Sequence, residues 1–318
     1  MKAYAIRRFL LIIPTLLILT LILFVMIRMI PGSIIDIMAS EHVAQSGVEF
    51  APEDIEAMLG LDKPIYAQYG EWMWGLLHGD LGKSLWTQRS MVDELRVRLP
   101  VTAELSLFAM ILGIIFSVPI GVYAAIRQDT ITDYIMRTIS IAALAIPSFW
   151  IATMVIVYPS IWWGWMPPIE YIPLVKDPLA NLGQFLLPAA IMALATSGGL
   201  MRITRTMMLE VMRQDYIRTA WSKGLKERIV ILRHAVKNTL IPVITIIGGR
   251  IPALLGGSVI IEQIFDMPGM GRYLLDAIQS RDYVIVSGWN LVMSGVVLLT
   301  IVLTDLSYAF VDPRIRYR

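Results

Sequence analysis

The sequence predicts an all-α integral membrane protein with about six membrane-crossing helices. Three observations lead there. Hydrophobic residues fill 57% of the 318 positions and charged residues only 16%, whereas soluble domains carry roughly a quarter charged residues. The apolar residues gather into runs of about 20, the length an α-helix needs to cross a hydrocarbon layer of about 30 Å. Lipid offers backbone N–H and C=O groups no partners, so such runs must be helical, with their prolines and glycines shielded by neighbouring helices.

The runs are, in order, Phe9–Ile30, Val101–Ile126, Tyr134–Tyr158, Phe185–Met201, Thr239–Ile261 and Val284–Tyr308, the fourth being the shortest. The first follows Lys2, Arg7 and Arg8. A cleaved signal peptide is the alternative there, but the run exceeds the roughly 7 to 15 apolar residues of a signal core, and no small-residue cleavage site follows. With the N-terminus in the cytoplasm, 17 of the 27 Lys and Arg residues fall in inner segments, eight in outer segments, and two, Arg28 and Arg250, in spans. That asymmetry obeys the positive-inside rule and places both termini in the cytoplasm.

Between the spans the chain divides into residues 1–30, an N-terminus and first helix; 31–100, an extracytoplasmic segment; and 101–318, a transmembrane core with an inner loop at about 202–238. The outer segment is expected to be structured, with a helical piece near Pro52 to Leu59 and an aromatic one near Ile65 to Leu77. Its Tyr66, Tyr69, Trp72 and Trp74 suit an interfacial aromatic belt, the alternative being a ligand cage. Residues 159–184, with Trp162, Trp163 and Trp165, form a second outer loop.

Several chemistries are excluded. The chain has no cysteine, hence no disulfide or thiolate metal site. His42, His78 and His234 are scattered and match no metal motif. A net charge of +2 gives no bias toward nucleic acid. The spans contain no paired aspartates, Ser–His arrangement or HExxH, so no catalytic residue is expected. A secondary transporter or channel would need ion-coupling acids at midplane and often two similar halves, and neither is visible. No GxxxxGK[ST] occurs, so any ATP must be hydrolysed by another polypeptide.

The inner loop from Arg202 to Asn238 carries nine basic residues against three acids. Met212, Tyr216, Ile217, Ala220 and Leu225 recur at three- and four-residue spacing, which predicts a short amphipathic helix broken near Gly224. From composition alone, a basic topology-setting loop with some lipid affinity is an equal reading. Residue order goes further. The stretch DYIRTAWSKGLKERIVILRHAVKNTLIP, from Asp215 to Pro242, resembles the cytoplasmic coupling loop of ABC importer permeases, in particular the dipeptide and oligopeptide subfamily. The superfamily pattern is Glu-Ala-Ala, three residues, Gly, then an apolar residue and Pro. Arg218, Thr219 and Ala220 stand at the triplet, Gly224 at the glycine and Pro242 at the proline; the departure at Arg218 and Thr219 is a variant common in the peptide subfamily.

The resemblance continues in GGSVIIEQIFDMPGMGRYL from Gly256, LPAAIMAL from Leu187, AIPSFW from Ala145 and the ending DLSYAFVDPRIR. The opening residues and LGLDKPIYAQYGEWMWGLLHGDLGKSL look like the first, B-type, of the two permease subunits of such importers. This resemblance implies a type I ABC importer permease fold and a heterodimer with a second related permease subunit. It also implies two cytoplasmic ATPase subunits that bind ATP and Mg, and an extracytoplasmic solute-binding protein. The implied cargo is a di- or oligopeptide, with oligosaccharide, glutathione or a nickel chelate as alternatives inside the same family. No cofactor is expected in the chain itself. Coupling to the ATPases would run through Tyr216, Arg218, Thr219, Ala220, Trp221, Lys223, Gly224 and Leu225. Tyr216, Ala220, Trp221 and Leu225 would pack, Arg218 and Lys223 would make polar contacts, Gly224 would turn the chain sharply, and Pro242 would restart the next helix.

Arg250 falls midway along the fifth span, where an unpaired guanidinium costs at least ~2.5 kcal/mol. It meets either a solute carboxylate in the translocation pathway or a structural acid or carbonyl of a neighbouring helix or subunit. Gly256, Gly257 and Glu262 follow it as candidate pathway or gate residues. Glu262 and Asp266 read either as an outer gate or receptor contact, or as a solvated helix end. Gly113, Ser117, Ser294 and Gly295 suit close helix packing.

Overall fold

Prolines, glycines and two aspartates set several helix boundaries in the computed structural model, which describes residues 2–29, 62–168 and 170–311. Side chains at 2–9, 27, 241, 257 and 305–311 lie outside that description, as does the piece expected near Pro52 to Leu59. The helices are α1 (Lys2–Arg28), α2 (Ile65–Leu77), α3 (Met91–Ile126), α4 (Ile131–Ala145), α5 (Ser148–Trp163), α6 (Pro178–Met212), α7 (Asp215–Ser222), α8 (Lys237–Ile264), α9 (Met270–Gln279) and α10 (Tyr283–Val311). Between α7 and α8 a single turn, Glu227–Ile229, runs into a π-helix, Val230–Val236.

Asp177 caps α6, its carboxylate accepting from the Leu179 and Ala180 N–H groups at 3.1 Å. Pro178 follows at the first helical position, where a missing N–H costs nothing. Gly164 ends α5 in the left-handed conformation, φ 63°, which glycine adopts without strain.

Among the described residues three helices are long and apolar enough to cross a membrane: α3, α6 and the Tyr283–Thr304 part of α10. Two bent pairs raise the number to five, α4 with α5 and Glu227–Leu240 with Pro242–Gly256. In α1 the apolar stretch Leu10–Met26 is shorter than any of these.

The structure corrects three boundaries expected from sequence. The third run, Tyr134–Tyr158, is two helices meeting at 86°. Ile146, extended at φ −87° and ψ 121°, precedes Pro147, whose ring disfavours helical geometry in the residue before it. The fourth run is far from short: α6 has 35 residues, about 52 Å at 1.5 Å per residue, and projects well beyond a 30 Å core. The loop expected from Arg202 therefore begins after Met212. Pro242 does not restart a helix but lies inside α8, at a 43° bend of the kind a missing N–H produces.

The chain divides into two compact units, residues 1–8 with 97–273 and 296–318, and residues 9–96 with 274–295. In the first, Val101, Leu105 and Ala109 of α3 join Phe185, Ala189 and Met192 of α6, Ala152 of α5, and Leu254 and Ile261 of α8 in one buried cluster. Small residues let backbones approach closely. A Cβ at Gly121 would stand 2.7 Å from the Met201 carbonyl, and one at Gly113 would stand 3.3 Å from Thr196 Oγ1. Ser140 donates to the Gly198 carbonyl at 2.7 Å, joining α4 to α6. Beside it Arg205 forks onto Asp133, with Nε to Oδ1 at 2.7 Å and Nη2 to Oδ2 at 2.6 Å.

The loop before α6 is tied down by buried amides. Asn181 donates to the Ile172 carbonyl at 2.8 Å and to Glu104 at 3.1 Å. Gln184 donates to the Glu170 carbonyl at 2.8 Å, and the Tyr171 hydroxyl donates to Glu104 at 3.2 Å. Burial, reinforced by the Glu104 charge and this hydrogen bond, pushes the Tyr171 phenol up to about 12.

In the second unit α2 packs on α1. Tyr69 meets Phe24 edge-on at 5.1 Å and Trp72 lies 5.9 Å from the same ring, while Arg28 stacks on its face at 3.5 Å. Tyr66 and Trp74 are exposed, so the four aromatics divide between packing and an open face. Asp282 caps the start of α10 and accepts from Ser84 Oγ at 2.6 Å. A Cβ at Gly295 would meet nothing within 4 Å among the described residues, so that glycine serves no close approach here.

Candidate functional site

The eight residues of α7 present two unlike faces. Ile217 and Ala220, three apart and therefore on one side, are 0% and 7% exposed. They sit in a cluster with Val122 and Ala125 of α3, Met208 of α6, and Val230, Ile231 and Ala235 of the π-helix, and Leu225 packs against it. Ala220 and Leu225 were expected to pack on a partner; their side chains instead point into this chain's own core, because the 3.6-residue period turns position 220 to the same side as 217. On the other face Arg218, Thr219, Trp221 and Lys223 are exposed, and so is Tyr216. The Tyr216 hydroxyl accepts from Asn238 Nδ2 at 2.9 Å, which ties α7 to the start of α8.

Gly224 closes α7. Its φ is 71°, and a Cβ there would meet nothing within 4 Å among the described residues. Glycine is thus required by the backbone angle and not by crowding. The turn returns the chain to Leu225, whose N–H reaches the Ala220 carbonyl at 3.4 Å. The result is a short helix fixed from behind by three other elements, with basic and aromatic side chains facing away.

Of the two acids at the end of α8, Asp266 is exposed, as a solvated helix end would be, while Glu262 fits neither expectation. Glu262, proposed as a gate or receptor contact, is fully buried and cannot touch a receptor in this conformation. Its Oε1 accepts from Thr102 Oγ1 at 2.7 Å and its Oε2 from the Arg272 N–H at 3.0 Å. Thr102 Oγ1 in turn accepts the Met270 N–H at 2.9 Å. Gly269 and Gly271 lie directly against the carboxylate, and a Cβ at Gly269 would fall 2.8 Å from Oε1. Arg272 also pairs with Asp266, and Arg98 stacks on Tyr273 at 4.4 Å. Glu262 therefore fastens the Met267–Arg272 turn to α3. Thr102 escaped the sequence reading because it sits 160 positions from Glu262 and no local pattern marks it.

Arg250 lies partly buried in α8 with its guanidinium against Gly199 of α6. Gly256 has open space beside it among the described residues, and the surroundings of Gly257 lie outside them. Among the described residues no group of three or more His, Cys, Asp or Glu side chains could hold a metal ion.

Comparison with known proteins places this geometry. Residues 117–317 match the family described as binding-protein-dependent transport system inner membrane component, and residues 1–106 match the N-terminal part of such membrane components. The oligopeptide transport system permease protein AppB of Bacillus subtilis is 39% identical over 320 residues, covering 100% of both chains. The dipeptide transport system permease protein DppB of Escherichia coli K12 is 36% identical over 344 residues, again covering 100% of both. Among solved structures, a crystal structure of an amino acid ABC transporter with histidines matches at 14% identity and a TM-score of 0.45, over 67% of this chain and 90% of that one. With the family match extending over most of the chain and full-length relatives well above 30% identity, this multi-pass membrane protein belongs to the binding-protein-dependent transport system inner membrane components.

Proposed function

We propose that the chain is one permease half of an importer for di- or oligopeptides, working by alternating access, with both termini in the cytoplasm. A second, related permease subunit completes the pathway. Two cytoplasmic ATPase subunits hold ATP and Mg and supply the energy, and an extracytoplasmic binding protein delivers the solute. The permease performs no covalent chemistry.

The observation that carries this reading is the anchoring of α7. Force applied to its exposed face, at Tyr216, Arg218, Thr219, Trp221 and Lys223, passes through Ile217 and Ala220 into a cluster shared with α3 and α6. Close-packed interiors transmit displacement without absorbing it. Closure of an ATPase pair against α7 would thereby tilt two membrane helices together. The names of AppB and DppB support peptides as cargo.

The test is Gly224→Val in the reconstituted importer. A β-branched side chain at positive φ strains the turn and should misplace the α7 face. Peptide uptake should drop at least tenfold while basal ATP hydrolysis persists and loses its response to loaded binding protein. Unchanged uptake with intact stimulation would defeat the coupling role, and uptake by this chain alone in liposomes would defeat the ATP-driven reading altogether.

A further inference from the structure

Arg250 is the fourteenth of the 28 residues of α8, about 20 Å of helix from either end. Two other arginines of this unit have acids of their own: Arg205 forks onto Asp133 and Arg272 pairs with Asp266. Arg250 has no ion pair and no hydrogen-bond acceptor among the described residues. A guanidinium at this depth is costly unless neutralised, and such residues face protein interiors or solute pathways.

Two further observations define its surroundings. The guanidinium lies on α6 where only a glycine allows it: a Cβ at Gly199 would stand 2.7 Å from Nη2 and 3.8 Å from Nη1. Along α8 itself, a Cβ at Gly249 or at Gly256 would meet nothing within 4 Å among the described residues. Those two positions are seven residues apart and share one helix face, adjoining Arg250. An arginine seated on bare backbone thus borders an open strip of helix two turns long. The planar fork of a guanidinium matches a carboxylate with two parallel hydrogen bonds, which a lysine cannot reproduce.

We propose that Arg250 is a carboxylate-binding site within the membrane layer, taking the terminal carboxylate of the solute as it passes along the Gly249–Gly256 face of α8. The proposal rests on the reading of this chain as a peptide-conducting permease. The same chemistry could be met by an acidic side chain of a neighbouring subunit, and the experiment separates the two sources.

The complete importer in proteoliposomes is assayed for uptake of trialanine and of trialanine amide, as wild type, Arg250→Gln and Arg250→Lys. The binding protein is common to all three, so its own preference cancels when acid-to-amide uptake ratios are compared. The ratio should fall at least fivefold in Arg250→Gln and recover in part in Arg250→Lys. Gly199→Ala, which displaces the guanidinium without removing it, should shift the ratio in the same direction while the subunits still co-purify. A ratio within twofold of wild type in Arg250→Gln overturns the site, and so does loss of subunit co-purification in that variant, which would assign the carboxylate to a neighbouring chain. Failure of the wild type to import either peptide would overturn the peptide cargo and this site with it. An importing wild type with an unmoved ratio overturns this site alone.

Discussion

Thr102 is fully buried in α3, and its hydroxyl serves two groups at once, donating to Glu262 Oε1 at 2.7 Å and accepting from the Met270 N–H at 2.9 Å. Thr102→Val keeps the shape and removes both bonds. Leaving a buried donor or acceptor unsatisfied costs about 1–3 kcal/mol, more for a charged group. Two such groups would sum to roughly 2–6 kcal/mol, and the lower end applies because Glu262 keeps the Arg272 N–H and the turn can relax. A loss of about 2 kcal/mol corresponds to roughly a thirtyfold increase in local opening, at 1.4 kcal/mol per factor of ten. Amide hydrogen exchange on the detergent-solubilised protein measures that opening directly. The segment 265–272 should exchange roughly thirtyfold faster in Thr102→Val, and within about threefold of wild type in Thr102→Ser, which retains the hydroxyl. Wild-type protection in the valine variant would refute the view that Glu262 and Thr102 together fasten this turn.

Asp133→Ala strands Arg205, whose side chain is 17% exposed, so the loss should sit near the lower end of the range for broken buried pairs, about 3 kcal/mol. Adding Arg205→Met should recover most of it in denaturant unfolding; a double variant no better than the single one would show that the pair does not act as a unit. For Tyr171 the raised phenol, about 12 in the folded chain, means that its stabilisation is fully present below the unfolded value of about 10 and fades only as pH rises through the folded one. The stability difference between wild type and Tyr171→Phe should therefore be constant from pH 6 to 9, as read by unfolding midpoints, and a change of that difference within this window would contradict the assignment.

Much of the chain's organisation is written locally. Apolar runs near 20 residues dictate helices in lipid whatever surrounds them, and α3, α6 and α10 follow directly. The turn at Gly224 is equally local, since only a residue free of Cβ sits comfortably at φ 71°. The helix α7 was legible too, because it lies in a basic stretch between apolar runs, where alternating environments leave an amphipathic trace at Ile217 and Ala220. Which side of α7 looks inward was misassigned for Ala220 and Leu225, since the sequence shows that they are apolar and not against what they are packed.

Inside the bilayer that trace disappears. In water the buried face of a helix is the apolar one, but in lipid both faces are apolar, so hydropathy records that a segment crosses and says nothing of its neighbours. Hence the continuous apolar run over Tyr134–Tyr158 concealed an 86° bend, and the basic residues Arg202 and Arg205 concealed the continuation of α6 to Met212. The burial of Glu262 under Gly269 and its bond to Thr102 join residues far apart in the chain. Sequence by itself determined the membrane, the helices and the turn at Gly224, all consequences of a residue and its immediate solvent. Only tertiary structure decided which polar groups meet, because in a uniformly apolar solvent pairing is the one thing that distinguishes one helix face from another.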